Sequence, residues 1–159
     1  MKVEAVDPRT GSVNELFVQA SSTDDIKDLL SFDLSEEALK KRLDNLAVSA
    51  DAKSLLFTLV KSTIKVGTVV VKIGRKFLDL IITILADFPT ATTGAIFGAI
   101  LGQLIGSIPV VGLVFGPFIG PLAIALGFAV GGLQDFSNRA MAQRVAASVA
   151  SFDGLKPKV

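Results

Sequence analysis

Residues 88–134 read FPTATTGAIFGAILGQLIGSIPVVGLVFGPFIGPLAIALGFAVGGLQ, with no Asp, Glu, Lys or Arg anywhere in the stretch. Gly94, Gly98, Gly102 and Gly106 step through it four apart. Beyond Pro109 the pattern restarts as Gly112, Gly116 and Gly120, and again as Gly127 and Gly131. Glycine weakens a helix in water, because it has the most conformational freedom to lose. On an apolar helix, glycines at this spacing form a flat strip that another helix can approach closely. The stretch therefore predicts a membrane-inserted helical hairpin over 89–133. Its first arm, 90–107, starts behind Pro89 with Thr90 as cap. Residues 108–121, with Pro109, Pro117 and Pro121, predict a turn or broken helix at an apolar tip, and residues 122–133 resume the helix. Gln103 is the one strongly polar side chain of the first arm. It would bond across helices, ring a lumen, or satisfy itself on its own backbone or a water.

Upstream, Lys61, Lys65, Lys72, Arg75 and Lys76 recur at steps of three and four, together with Thr68, Asp79 and Thr83. Leu55, Leu59, Val66, Val70, Ile73, Phe77, Leu80 and Ile84 fall opposite them. This spacing predicts one long basic amphipathic helix over 50–88. Such a helix would be roughly 54 Å long, against a hydrocarbon thickness of about 30 Å. It would lie in the interface with its basic stripe toward headgroups, or turn the stripe to water inside an assembly.

Residues 1–49 predict an acidic soluble cap. Up to residue 51 the net charge is −5, whereas residues 52–79 carry +5. Short alternating runs around Asp7-Pro8-Arg9-Thr10-Gly11 suit a β-hairpin, or else a flexible polar leader. Two short helices follow, starting near Ser22-Thr23-Asp24-Asp25 and at Asp33 or Ser35. Residues 134–159 predict an amphipathic helix and a polar tail. The acidic cap would lie against the basic stripe and shield Lys61, Lys65 and Lys72.

Composition narrows the chemistry. The chain has no Cys and no His, so thiolate catalysis, an imidazole base and the common metal sites lose their usual residues. No phosphate-binding loop or nucleophile elbow occurs. These absences point to a non-enzymatic protein without cofactor or metal. The mixed-charge N-terminus, MKVEAVDPRT, lacks the apolar core of a secretory signal. Basic flanks on both sides of the hairpin place both termini on the cytoplasmic side.

The expected fold is thus an all-α membrane protein with a small N-terminal cap. The expected function is a self-assembling homo-oligomer that packs through glycine-zipper helices as a pore, channel or membrane-perturbing factor. The alternative is a membrane anchor or structural subunit that recruits a partner or coats a vesicle or virion. Expected partners are a bilayer containing anionic lipid, further copies of the chain, and a protein for the acidic cap; nucleic acid is not among them. The hairpin is similar in style to the glycine-zipper segments of small pore-forming proteins. A charge-free hairpin between amphipathic helices also resembles the insertion unit of colicin-like toxins. Neither likeness, over residues 50–150, assigns a role to any residue.

Overall fold

The computed structural model describes residues 1–6, 10–20, 23–30, 35–46, 48–87, 93–126 and 139–156. Its fold is mixed α/β, which corrects the all-α expectation. Four antiparallel strands form one sheet in the order β2-β1-β3-β4, with β1 Lys2–Val6, β2 Val13–Phe17, β3 Ile64–Val66 and β4 Val69–Val71. The expected N-terminal hairpin is present as β1 and β2. Helices follow as α1 Lys27–Leu30, α2 Glu36–Asp44, α3 Ala50–Val60, α4 Ile73–Asp87, α5 Thr93–Ser107, α6 Pro109–Leu126 and α7 Arg139–Val149. A 3-10 turn, Thr23–Ile26, leads into α1, and another, Ala150–Leu155, follows α7.

The largest correction falls on residues 50–88. They do not form one helix but helix, hairpin, helix. The cause lies in Ile64-Lys65-Val66-Gly67-Thr68-Val69-Val70-Val71, which is almost wholly β-branched and alternates in burial. Gly67 has φ +62 while Thr68 stays negative, so glycine occupies the first central position of a two-residue turn, as type II′ requires. The basic residues stepped at helical spacing by coincidence with this strand pattern. β3 pairs with β1, with Ala5 opposite Ile64, Glu4 opposite Lys65 and Val3 opposite Val66. The acidic N-terminal segment and the segment after residue 50 therefore share one sheet.

Local caps support the helices. Ser35 Oγ accepts from Ala38 N at 3.1 Å, and Ser49 Oγ accepts from Ala52 N at 3.2 Å. Gly74 lets the start of α4 press on the end of α3, where its N–H donates to the Ser62 carbonyl at 3.0 Å. The sheet's inner face is Val3, Ala5, Ile64, Val66 and Val71, all buried.

The apolar hairpin lies inside this frame. Ile96, Phe97, Ala99, Ile100, Leu101 and Leu104 of α5 are all buried, so α5 is the central core helix of the molecule. Its 15 residues make a rod of about 22 Å, short of the roughly 30 Å of a hydrocarbon core. Phe77 of α4 joins the layers, with its ring 5.2 Å from Phe97 and 4.7 Å from Phe115. The tip is a single residue, Ile108, and not a broken segment. Helix α6 begins at Pro109, a position where proline's fixed φ suits the first turn, and runs on through Pro117 and Pro121. Each internal proline forfeits one backbone bond, yet the helix continues because its inner face is packed. Helix α7 covers α5, and Arg144 Nε donates to Asp87 Oδ2 at 3.0 Å. The expected resumption of the helix at 127–133, with Gly127 and Gly131, lies outside the described residues.

Candidate functional site

Helix α6 has two faces of the same chemistry and opposite fate. Val110, Val111, Val114, Phe115, Phe118 and Leu122 are buried against the core. At 100° per residue, Pro109, Leu113, Gly116, Pro117, Gly120, Ala123 and Ile124 fall on the other side. Ile124 is 88% exposed, and Pro109, Gly120 and Pro121 are exposed as well. Not one of the helix's 18 residues has a polar side chain. Among the described residues this is the one helix long and apolar enough to cross a membrane, and only 33% of it is buried inside the fold. A core helix of a water-soluble domain ordinarily turns polar residues outward. Here the exposed positions, Pro109 at its start and Gly120, Pro121 and Ile124 near its end, are apolar too, with Leu113, Gly116, Pro117 and Ala123 half-buried.

The glycine ladder divides between these environments. Gly94 and Gly106 lie on α5; Gly98 is buried there and Gly102 half-buried. On α6 a Cβ added to Gly112, Gly116 or Gly120 would meet nothing within 4 Å. That strip therefore makes no close contact with another described helix. Close packing demands glycine at Gly74, where a Cβ would overlap the Leu59 carbonyl oxygen. Gly154 is similar: a Cβ there would lie 2.7 Å from the Asp25 carbonyl oxygen.

The basic residues do not form a single stripe. Lys61 caps the end of α3, with its ammonium 4.7 Å from the centre of the Phe57 ring, and Lys40 approaches the same ring at 5.3 Å. Lys65 is exposed on β3, and Lys72 is exposed between β4 and α4. Arg75 and Lys76 are half-buried in the first turn of α4. Arg75 Nη2 is 3.6 Å from Glu36 Oε2, and Arg42 Nη1 is 3.1 Å from Asp79 Oδ1. The acidic segment thus reaches the basic one at Arg75 through α2, and in the sheet at Lys65, which stands opposite Glu4. With Phe57 and Lys40, Arg75 lines a cleft of about 610 Å³ that Ser35, Glu36 and Glu37 complete. Among the described residues, Lys61, Lys65, Lys72, Arg75 and Lys76 do not share one helix face.

Gln103 is half-buried and borders a cleft of about 260 Å³ shared with Ser107, Asp153 and Lys156. Its backbone carbonyl oxygen accepts from Ser107 Oγ at 2.8 Å. It lies beside the segment after α7. Among the described residues no group of three Asp or Glu side chains is arranged to hold a metal ion.

Sequence reasoning missed the outer face of the sheet. Among the described residues, four of the five exposed large hydrophobics are there: Val6, Val13, Phe17 and Val70. The signal was present in Val13-Asn14-Glu15-Leu16-Phe17, but a strand's outer face cannot be told from its inner face before the sheet is placed. Comparison with family models, with curated proteins and with solved structures found no match to this chain.

Proposed function

We infer that this is a non-enzymatic membrane-associating protein that attaches to a bilayer through the outer face of α6. The observation that carries the reading is the all-apolar outward side of Pro109–Leu126, held on a helix whose inward side is keyed into the core. Lipid suits this face better than a second copy in water does. Four exposed apolar residues on one helix offer far less than the roughly 800 Å² per partner of a stable aqueous complex. Attachment in this mode needs no opening of the fold, which favours the anchor reading over a pore. Within the bilayer the open strip Gly112, Gly116 and Gly120 supports self-association, because small residues let helices approach closely there. Exposed Lys61, Lys65 and Lys72 add a salt-screened attraction to anionic headgroups on the cytoplasmic side.

Flotation with phosphatidylcholine and phosphatidylglycerol vesicles tests the reading. The wild-type chain is expected to float, and a Gly120→Asp/Ile124→Glu double variant with an unchanged melting curve is expected to stay below. Equal flotation of the two proteins refutes attachment through α6. Trapped dye is expected to stay inside, and dose-dependent release would move the conclusion to the pore.

A further inference from the structure

Three cations gather around one aromatic ring between α2, α3 and α4. Lys40 Nζ lies 5.3 Å and Lys61 Nζ 4.7 Å from the centre of the Phe57 ring, so the two ammoniums are at most about 10 Å apart. Both side chains are exposed, and neither has a carboxylate partner among the described residues. Arg75 is the third. Its side chain is only 21% exposed, and Glu36 Oε2 stands 3.6 Å from Nη2, too far for a hydrogen bond. The N–H donors of this half-buried fork therefore find no acceptor among the described residues. Ser35 adds a hydroxyl whose oxygen accepts from Ala38 N and whose hydrogen is left to donate. Arg75, Lys40, Phe57 and Ser35 line the same cleft, and its volume of about 610 Å³ suits a small molecule. Glu36 and Glu37 line it too. Glu36 offsets Arg75, and Glu37 is exposed to water, which leaves the three cations in excess. Lys72 and Lys76, three residues before Arg75 and one after it, add to the positive field.

We propose that this cleft binds a soluble phosphate monoester, with Arg75, Lys40 and Lys61 around the phosphate and the organic part along Phe57. A dianion suits the site better than a carboxylate does. It answers two ammoniums that otherwise only repel each other, and it offers the Arg75 fork several acceptor oxygens at once. The cleft also opens toward water. Phe57 and Leu55 are two residues apart on α3 and point about 160° from each other. Leu55 shares a groove with Pro121 and Ile124 at the exposed end of α6, so Phe57 faces away from that end. The inference is thus independent of membrane attachment, since it concerns the other flank of α3.

The test uses the full chain and phenyl phosphate, with benzoate and with sodium chloride at equal ionic strength as controls. An NMR titration is expected to saturate with phenyl phosphate, with the shifts gathered at the Arg75 Nε–H and the Phe57 ring. Benzoate is expected to bind roughly threefold or more weakly, and chloride not to saturate. Arg75→Gln is expected to weaken binding about tenfold, the effect of one charge-assisted hydrogen bond. Should Arg75→Gln not fold, Lys40→Gln changes an exposed side chain and is expected to weaken binding roughly threefold. Lys65→Gln removes the same charge from the sheet and is expected to leave binding unchanged. Absence of saturation, equal affinity for benzoate, or equal weakening by Lys40→Gln and Lys65→Gln overturns the proposal. So does displacement of phenyl phosphate by vesicles of phosphatidylcholine and phosphatidic acid, since the phosphate is then a lipid's.

Discussion

Gly74 of α4 lies against the backbone of Leu59 in α3, so close that a Cβ on it would overlap the Leu59 carbonyl oxygen and stand 2.9 Å from that of Val60. Both neighbours are backbone and neither can rotate away. Gly116 lies in a helix too, yet has open space around it. Gly74→Ala is expected to destabilise by about 1–3 kcal/mol or more, the usual range for overpacking. Gly116→Ala is expected to be neutral or to stabilise by up to about 1 kcal/mol, through helix propensity alone. Urea unfolding of the two variants checks this, and equal effects would remove the distinction between the two glycines.

Asp87 and Arg144 close the ends of the segment that contains the apolar hairpin, at 3.0 Å and with both side chains 40–50% exposed. Exposure limits the pair to about 0.2–1 kcal/mol. Arg144→Gln is expected to lose that amount at low salt and less at 1 M, where the screening length falls to about 3 Å. Thermal melts at two salt concentrations decide it. A loss of several kcal/mol would mean that the contact does more than pair two surface charges.

Ile124 is 88% exposed, so its replacement leaves the fold almost untouched. Ile124→Glu is expected to change folding stability by no more than about 0.5 kcal/mol. Its vesicle affinity is expected to fall at least tenfold, from a lost transfer energy of about 1.5–3 kcal/mol. Denaturation and vesicle partitioning, measured on one preparation, separate the two effects.

Lys2 titrates above its ordinary 10.5, first because Glu15 accepts its hydrogen bond and adds negative charge, with a smaller contribution from Glu4. A raised value in the folded state stabilises below the unfolded value and is lost as pH rises through the folded one. The pair's contribution is therefore constant at neutral pH and fades only in alkali above 10.5. Glu15→Gln is expected to bring the Lys2 titration back toward 10.5, read by NMR at its side-chain nitrogen. An unmoved titration would mean that Glu15 is not its partner in solution.

Several elements were legible before any coordinates. Ser35 announces a helix start by the ordinary chemistry of a side-chain oxygen and orphan amides. The N-terminal hairpin followed from turn residues between alternating runs. The strands at 64–71 were legible too, in their β-branched run and Gly67, but a basic spacing of three and four competed with that signal and won. Periodicity of charge is weaker evidence than periodicity of burial, because exposed lysines are free to lie on any surface.

The sequence by itself determined that residues 88–134 must be covered by something other than water, since so long a charge-free stretch has no way to solvate itself. It could not say by what. Apolar side chains and glycines have the same composition whether they face a core, a lipid tail or another helix. Only the tertiary structure made that division. It buried Ile100 and Phe97 of α5, left open space around Gly112, Gly116 and Gly120, and set a close backbone contact at Gly74. The reason is that burial belongs to pairs of elements: which face of α6 is inside depends on where α3, α5 and β1 lie, and no local pattern in α6 encodes their positions.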